Sequence, residues 1–179
     1  MHIFITSSLF ALTAALLMTG CGSTASPPAT MQATAPAGGK AWVMQSGGAN
    51  VLKLTTTADV KGVAREGSLH FNAPQYEIEF WLVSGAKSVD DAVAQVSTRI
   101  VDEFKDFKPE HTTDLTIAGA PAKQLVGAGH EADDGDPGDA DVIVFKVGDK
   151  IFIGCNHGES LTPSGQEGLM TVTQTAQMP

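Results

Sequence analysis

Glu131, Asp133, Asp134, Asp136, Asp139 and Asp141 place six carboxylates within eleven residues, with no basic residue among them. Held close together they would repel one another, and a hard divalent cation would relieve that repulsion. Ca²⁺ takes six to eight oxygen ligands, and Gly135 and Gly138 would let the backbone curl and lend carbonyls. Asp134, Asp136, Asp139 and Asp141 are therefore the candidate metal ligands, and Ca²⁺ the candidate ion. The spacing does not match an EF-hand, whose glycine and terminal glutamate fall elsewhere. The plainer reading is a solvated hairpin loop rich in turn residues, with its charges spread into water. Cys155 and His157 are the types of a thiolate and its base. Two residues apart on a strand, however, they stand about 6.5 Å from one another along it, and Cys155 follows Ile151 and Ile153 on their own face. That alternation predicts a buried, inert thiol. His130, His157 and Glu159 have zinc-ligand types without a recognised zinc spacing. Ser160 follows Asn156-His157-Gly158-Glu159, which lacks the Gly-x-Ser-x-Gly order of a nucleophile elbow. Trp42, Phe71 and Trp81 could present an aromatic surface, although aromatics on strands more often pack a core. No catalytic set emerges, and the sequence reads as that of a protein that is not an enzyme.

The chain has 179 residues, of which 11 are Lys or Arg and 20 are Asp or Glu, a net charge of -9. An acidic surface of this kind argues against nucleic acid as a partner, since phosphate binding requires basic groups that displace counterions. At 42% hydrophobic and 17% charged residues, the composition supports a packed core and excludes a wholly disordered chain. The charges are unevenly placed, because the first 39 residues contain none of the four charged types. Within that stretch an apolar run from Ile3 to Met18 leads to Leu17-Met18-Thr19-Gly20-Cys21. It is too short and too interrupted for a membrane span, and has the shape of a secretory signal. It resembles a bacterial lipoprotein signal, though without the usual Lys or Arg at its start. The resemblance implies removal of residues 1–20 and lipidation of Cys21, palmitate among its acyl groups, with the lipid as membrane anchor. Residues 22–39, built of Gly, Ser, Thr, Ala and Pro with a single Met and Gln, then form a flexible tether. Gly22 after the cysteine points to the periplasmic face of the outer membrane.

Residues 40–179 read as one α+β domain. Val51–Thr57 and Leu69–Phe71 are candidate strands, and Tyr76–Leu82 alternates apolar and polar residues with the period of two that marks a strand. Ser88 can cap a helix that runs to Phe104, with Asp90 and Asp91 at its positive end and Val89, Ala92, Val93, Val96, Ile100 and Phe104 along one side. Asp114–Ile117 and Ala122–Gly127 flank the turn at Ala118–Pro121. Val142–Val147 and Lys150–Asn156 flank Gly148-Asp149, the two-residue loop of a hairpin. Both runs of this last hairpin are apolar on both faces, which predicts a sheet covered on each side. The covers are the Ser88 helix and a C-terminal helix with Thr162 as N-cap, Pro163 at its first position and Leu169, Val172 and Ala176 at helical spacing. Phe80, Val96, Ile100, Phe145, Ile151 and Ile153 are the residues expected deepest.

The order of these elements, with the hairpin motif Gly119-Ala120-Pro121-Ala122-Lys123-Gln124-Leu125, resembles the PsbP-like fold over most of residues 40–179. That family includes a photosystem extrinsic protein, a eukaryotic Ran-binding import factor and many bacterial envelope lipoproteins. The resemblance implies an antiparallel β-sheet flanked by helices, an α/β/α sandwich, and binding or accessory roles. The functional expectation is thus an envelope lipoprotein whose head binds another envelope protein or assists a complex. The alternative is a small-ligand or divalent-metal-binding module that uses the acidic stretch 131–141.

Overall fold

The computed structural model describes residues 38–96, 99–101 and 104–179. The signal, Cys21 and most of the tether lie outside the described residues. The centre of the fold is the doubly apolar hairpin, formed by β9 (Pro137–Val147) and β10 (Lys150–Gly158). Val147 pairs with Lys150 across Gly148-Asp149, and Gly148 supplies the left-handed backbone (φ 63°) that the short loop requires.

Around this hairpin the chain builds an eight-stranded antiparallel sheet in the order β3-β4-β5-β10-β9-β8-β7-β6. The remaining strands are β3 (Lys61–Arg65), β4 (Ser68–Ala73), β5 (Tyr76–Leu82), β6 (Arg99–Val101), β7 (Phe104–Ile117) and β8 (Ala120–Glu131). The predicted span of β5 is the observed one. β7 and β8 are far longer than the segments Asp114–Ile117 and Ala122–Gly127 that sequence suggests. Their turn is tighter than expected: Ile117 pairs with Ala120, and Ala118 (φ 51°) and Gly119 (φ 77°) both take left-handed backbone. A separate two-stranded ribbon, β1 (Lys40–Ser46) and β2 (Ala49–Thr56), lies beside the sheet.

One expectation is corrected. The helix read over Ser88–Phe104 forms only as α1, Val89–Val96. Ser88 does begin it, its hydroxyl accepting from the Asp91 amide at 3.0 Å. Beyond it, Arg99–Val101 become β6, which folds back on the start of β7 through the pairs Arg99↔Lys105 and Val101↔Phe104. The sequence here contains Thr98, Ile100 and Val101, whose branched β-carbons lose side-chain freedom in a helix and fit a strand. Ile100 and Phe104 are buried as anticipated, but they reach the core from strands.

The two faces of the sheet carry separate cores. On one, Phe71, Phe80, Phe145 and Phe152 lie beneath the β1–β2 ribbon and α2 (Pro163–Gln174). Thr162 caps α2 by accepting from the Gly165 amide at 3.1 Å, and Pro163 opens the helix. On the other face, Leu125, Val142, Val144, Ile151, Ile153 and Cys155 pack under α1, Ile100, Phe104 and Phe107. All six residues expected deepest are buried. Among the described residues the fold is a sheet-dominated α+β domain with two helices, and strands share the work of covering both faces.

Candidate functional site

The acidic stretch divides into two environments. Asp133, Asp134 and Asp136 are exposed in the turn that joins β8 to β9. Their carboxylates serve the turn itself: Asp133 Oδ1 accepts from the Asp134 amide and Asp134 Oδ1 from the Asp136 amide, each at 2.9 Å. Asp139 and Asp141 already belong to β9. Asp141 is fully buried, and Gln124 Nε2 donates to both of its oxygens at 2.9 Å. Burial holds its carboxyl above the usual carboxylate range, against the lowering effect of hydrogen bonds from Gln124 and from Gln166 on α2. Asp134, Asp136, Asp139 and Asp141 are thus not drawn to a common point. Among the described residues no three His, Cys, Asp or Glu side chains are grouped to hold a metal ion.

Cys155 is completely buried on the α1 face, where burial, followed by the charges of Asp141, Glu79 and Glu131, pushes its thiol well above the usual value. A thiol in that state is a poor nucleophile. His157 lies further along the same strand face, with Nδ1 3.3 Å from Glu131 Oε1 and its ring 5.5 Å from that of Phe104. His130 is on β8 next to Glu131, so strand alternation directs it to the opposite face from His157. Glu159 and Ser160 are exposed beyond the end of β10. The aromatic candidates also separate: Trp42 packs against Phe71 at 5.3 Å on the α2 face, whereas Trp81 packs with the α1-face core.

A concavity that the sequence did not single out lies between the end of β2, the turn into β5 and the outer side of α2. It is an open pocket of about 230 Å³. Thr55, Thr56 and Thr57 form one wall, Gln75 and Tyr76 the second, and Ser164, Glu167 and Thr171 the third. The local sequence explains the arrangement. Successive turns of α2 expose Ser164, Glu167 and Thr171 on one stripe, and Gly168 beside them has no side chain. A Cβ there would come within 2.9 Å of the Tyr76 ring, so the glycine allows that ring to lie against the helix. Burial, helped by the charge of Asp59, raises the Tyr76 hydroxyl above its usual value, which keeps it a neutral donor. The Thr56 hydroxyl is already engaged, accepting from Trp42 Nε1 at 3.0 Å and donating to the Thr57 carbonyl. The run Thr55-Thr56-Thr57 and Gly168 stand in separate parts of the sequence, and only folding brings them together.

The fold defines the class of protein first: an antiparallel sheet-dominated α+β domain. No family model and no curated protein sequence matches the chain. Among solved structures it is similar to a Bacteroides thetaiotaomicron VPI-5482 protein, with a TM-score of 0.52 and 15% identity over 80% of this chain and 49% of that one. At that identity the likeness shows the fold alone, and this chain spans about half the length of the Bacteroides protein. It also matches LpqN, involved in cell envelope biogenesis of Mycobacterium tuberculosis, with a TM-score of 0.44 and 12% identity over 79% of this chain and 92% of LpqN.

Proposed function

We propose that this chain is an envelope lipoprotein, acylated at Cys21 and held at the periplasmic face of the outer membrane, whose PsbP-like α/β/α head binds another envelope protein or assists a complex without catalysing a reaction. Support for the anchor comes from the Gly20-Cys21 signal and the uncharged tether behind it. The observation that carries the binding role is the outer edge of β7. Within the described residues β6 pairs only with Phe104 and Lys105, and Lys108–Asp114 are seven consecutive exposed residues along the rest of that edge. A strand edge of this kind leaves alternate N–H and C=O groups open to an extended segment of a partner. Pro109, two register shifts against β8 and the charges of Lys108, Glu110 and Asp114 discourage indiscriminate pairing, and so favour a selected partner over self-association.

Photo-crosslinking in intact cells tests both parts. A crosslinker at Thr112 should capture a discrete envelope protein that one at Asp149, in the distant β9–β10 loop, does not. Equal capture from both positions, or none from Thr112, refutes the partner role. Cys21→Ser should move the protein from the membrane to the soluble fraction. A variant that stays membrane-bound with the same processed mass refutes the anchor.

A further inference from the structure

We propose that the pocket between β2, the β5 entry turn and α2 binds one unit of a neutral or amine-bearing saccharide, with the Tyr76 ring against the sugar's apolar face and Ser164, Glu167 and Thr171 bonding its hydroxyls. This site lies apart from the β7 edge and requires neither the partner nor the anchor.

The argument begins with what the lining offers. Pyranoses have C–H-rich faces and a rim of hydroxyls, and they are complemented by one aromatic ring with several convergent donors and acceptors. Tyr76 is half-buried, and its ring lies close against α2 at Gly168, where no side chain intervenes. Among the described residues, the Tyr76, Ser164 and Thr171 hydroxyls and the Glu167 carboxylate have no protein hydrogen-bond partner, so their bonding capacity is available to a ligand. Charge narrows the class further. No Lys, Arg or His lines the pocket, Glu167 stands on its wall, and Asp59 acts on Tyr76 from nearby. A phosphorylated or carboxylated ligand would meet uncompensated negative charge there, whereas an amine would meet a counter-ion. The pocket is open to solvent and of about 230 Å³, a volume on the scale of one sugar ring.

The test uses the protein as isolated from cells, in a detergent whose headgroup contains no sugar. Methyl glucoside, glucosamine and glucose 6-phosphate are titrated separately by calorimetry, with melting recorded for every variant. Saturable binding of the first two is expected, with glucose 6-phosphate weaker by about tenfold or more. Glu167→Gln should reduce glucosamine to the affinity of methyl glucoside. Tyr76→Ala should weaken both by about tenfold. Because Tyr76 is half-buried, Thr171→Ala at an exposed helix position provides a second variant that leaves the core intact, and it too should weaken both sugars. Absence of saturation by methyl glucoside and glucosamine in a cooperatively melting protein overturns the proposal. So does preferred binding of glucose 6-phosphate, or binding that Glu167→Gln and Thr171→Ala leave unchanged.

Discussion

The two faces of the sheet bury their apolar side chains by different means. On the α2 face, rings follow one another from Trp42 through Phe71, Phe80 and Phe145 to Phe152, with neighbouring centroids 5.3 to 6.2 Å apart. Their cover is a twelve-residue helix and the β1–β2 ribbon. Glycines at the contact bring α2 close: a Cβ at Gly154 on β10 would crowd Leu169 of α2 as well as the Phe80 ring, and one at Gly165 would overlap Asn156 Oδ1. The α1 face is covered by an eight-residue helix and by side chains that arrive on β6 and β7. Phe104 and Phe107 supply buried rings there, Trp81 packs at the margin, and most of the remainder is aliphatic side chains that tolerate repacking. The comparison shows that a long helix seated on glycines gives a tightly specified core and leaves a shaped pocket along its outer side. The short α1 also has a recess beside its first turn, of about 360 Å³ and lined by Val89, Asp90, Asp114, Leu115 and Lys123, so the faces differ in how their cores are specified and not in having a recess.

The sharpest test of that contrast is truncation on each side. Phe80→Ala, which removes a fully buried ring touching both Phe71 and Phe145, should cost about 3–5 kcal/mol in chemical denaturation. Ile100→Ala on the other face should fall within about 2–5 kcal/mol, nearer the lower bound because neighbouring aliphatics can close in. An Ile100→Ala loss exceeding that of Phe80→Ala would reverse the ranking of the two cores.

Gly165→Ala separates packing from helix propensity. Propensity alone favours Ala by about 1 kcal/mol. The added methyl would instead collide with Asn156, which is buried and holds the Glu77 carbonyl through Nδ2 at 2.8 Å. A net loss of about 1–3 kcal/mol is expected, and a gain would mean that α2 is not seated as described.

Asp141 gives the α2 face a pH signature. Its carboxyl is raised in the folded state, mainly by burial, so over the interval above the ordinary carboxylate range the folded chain holds a proton that the unfolded chain has released. Stability from this group is present below that range and is lost as pH rises through the folded value. Melting of the native protein compared with Asp141→Asn should therefore show the native advantage shrinking as pH rises, and a growing advantage would contradict the burial argument.

The smallest effect is expected from calcium. With Asp141 occupied by Gln124, and Asp133 and Asp134 by turn amides, millimolar Ca²⁺ should shift melting no more than sodium chloride of equal ionic strength. A saturable, Ca²⁺-specific shift abolished by Asp136→Asn would establish the metal site that the sequence suggested.

Local patterns alone determined β5, the β9–β10 hairpin, the Thr162 cap and the burial of Phe80, Phe145, Ile151 and Ile153. In each case a short-range cause is sufficient: a period of two, a Gly-Asp turn, a hydroxyl placed before a proline. The Val89–Phe104 spacing also identified Ile100 and Phe104 correctly as core, since buried positions are legible even when the element carrying them is not. Whether Arg99–Val101 continued the helix or folded back as β6 depended on the start of β7, three to six residues further on, being held in the sheet by the distant β8 and so offering an edge for pairing. The acidic stretch is similar in kind. Its composition marks carboxylates in sequence, but only the register of β9 against β8 turns Asp141 inward to Gln124 and leaves Asp134 and Asp136 in solvent. The pocket was least legible of all, because Thr55–Thr57, Tyr76 and Glu167 come from three separated segments. Their meeting is decided by the packing of α2 across the sheet, for which a single chain pattern holds no short-range signal.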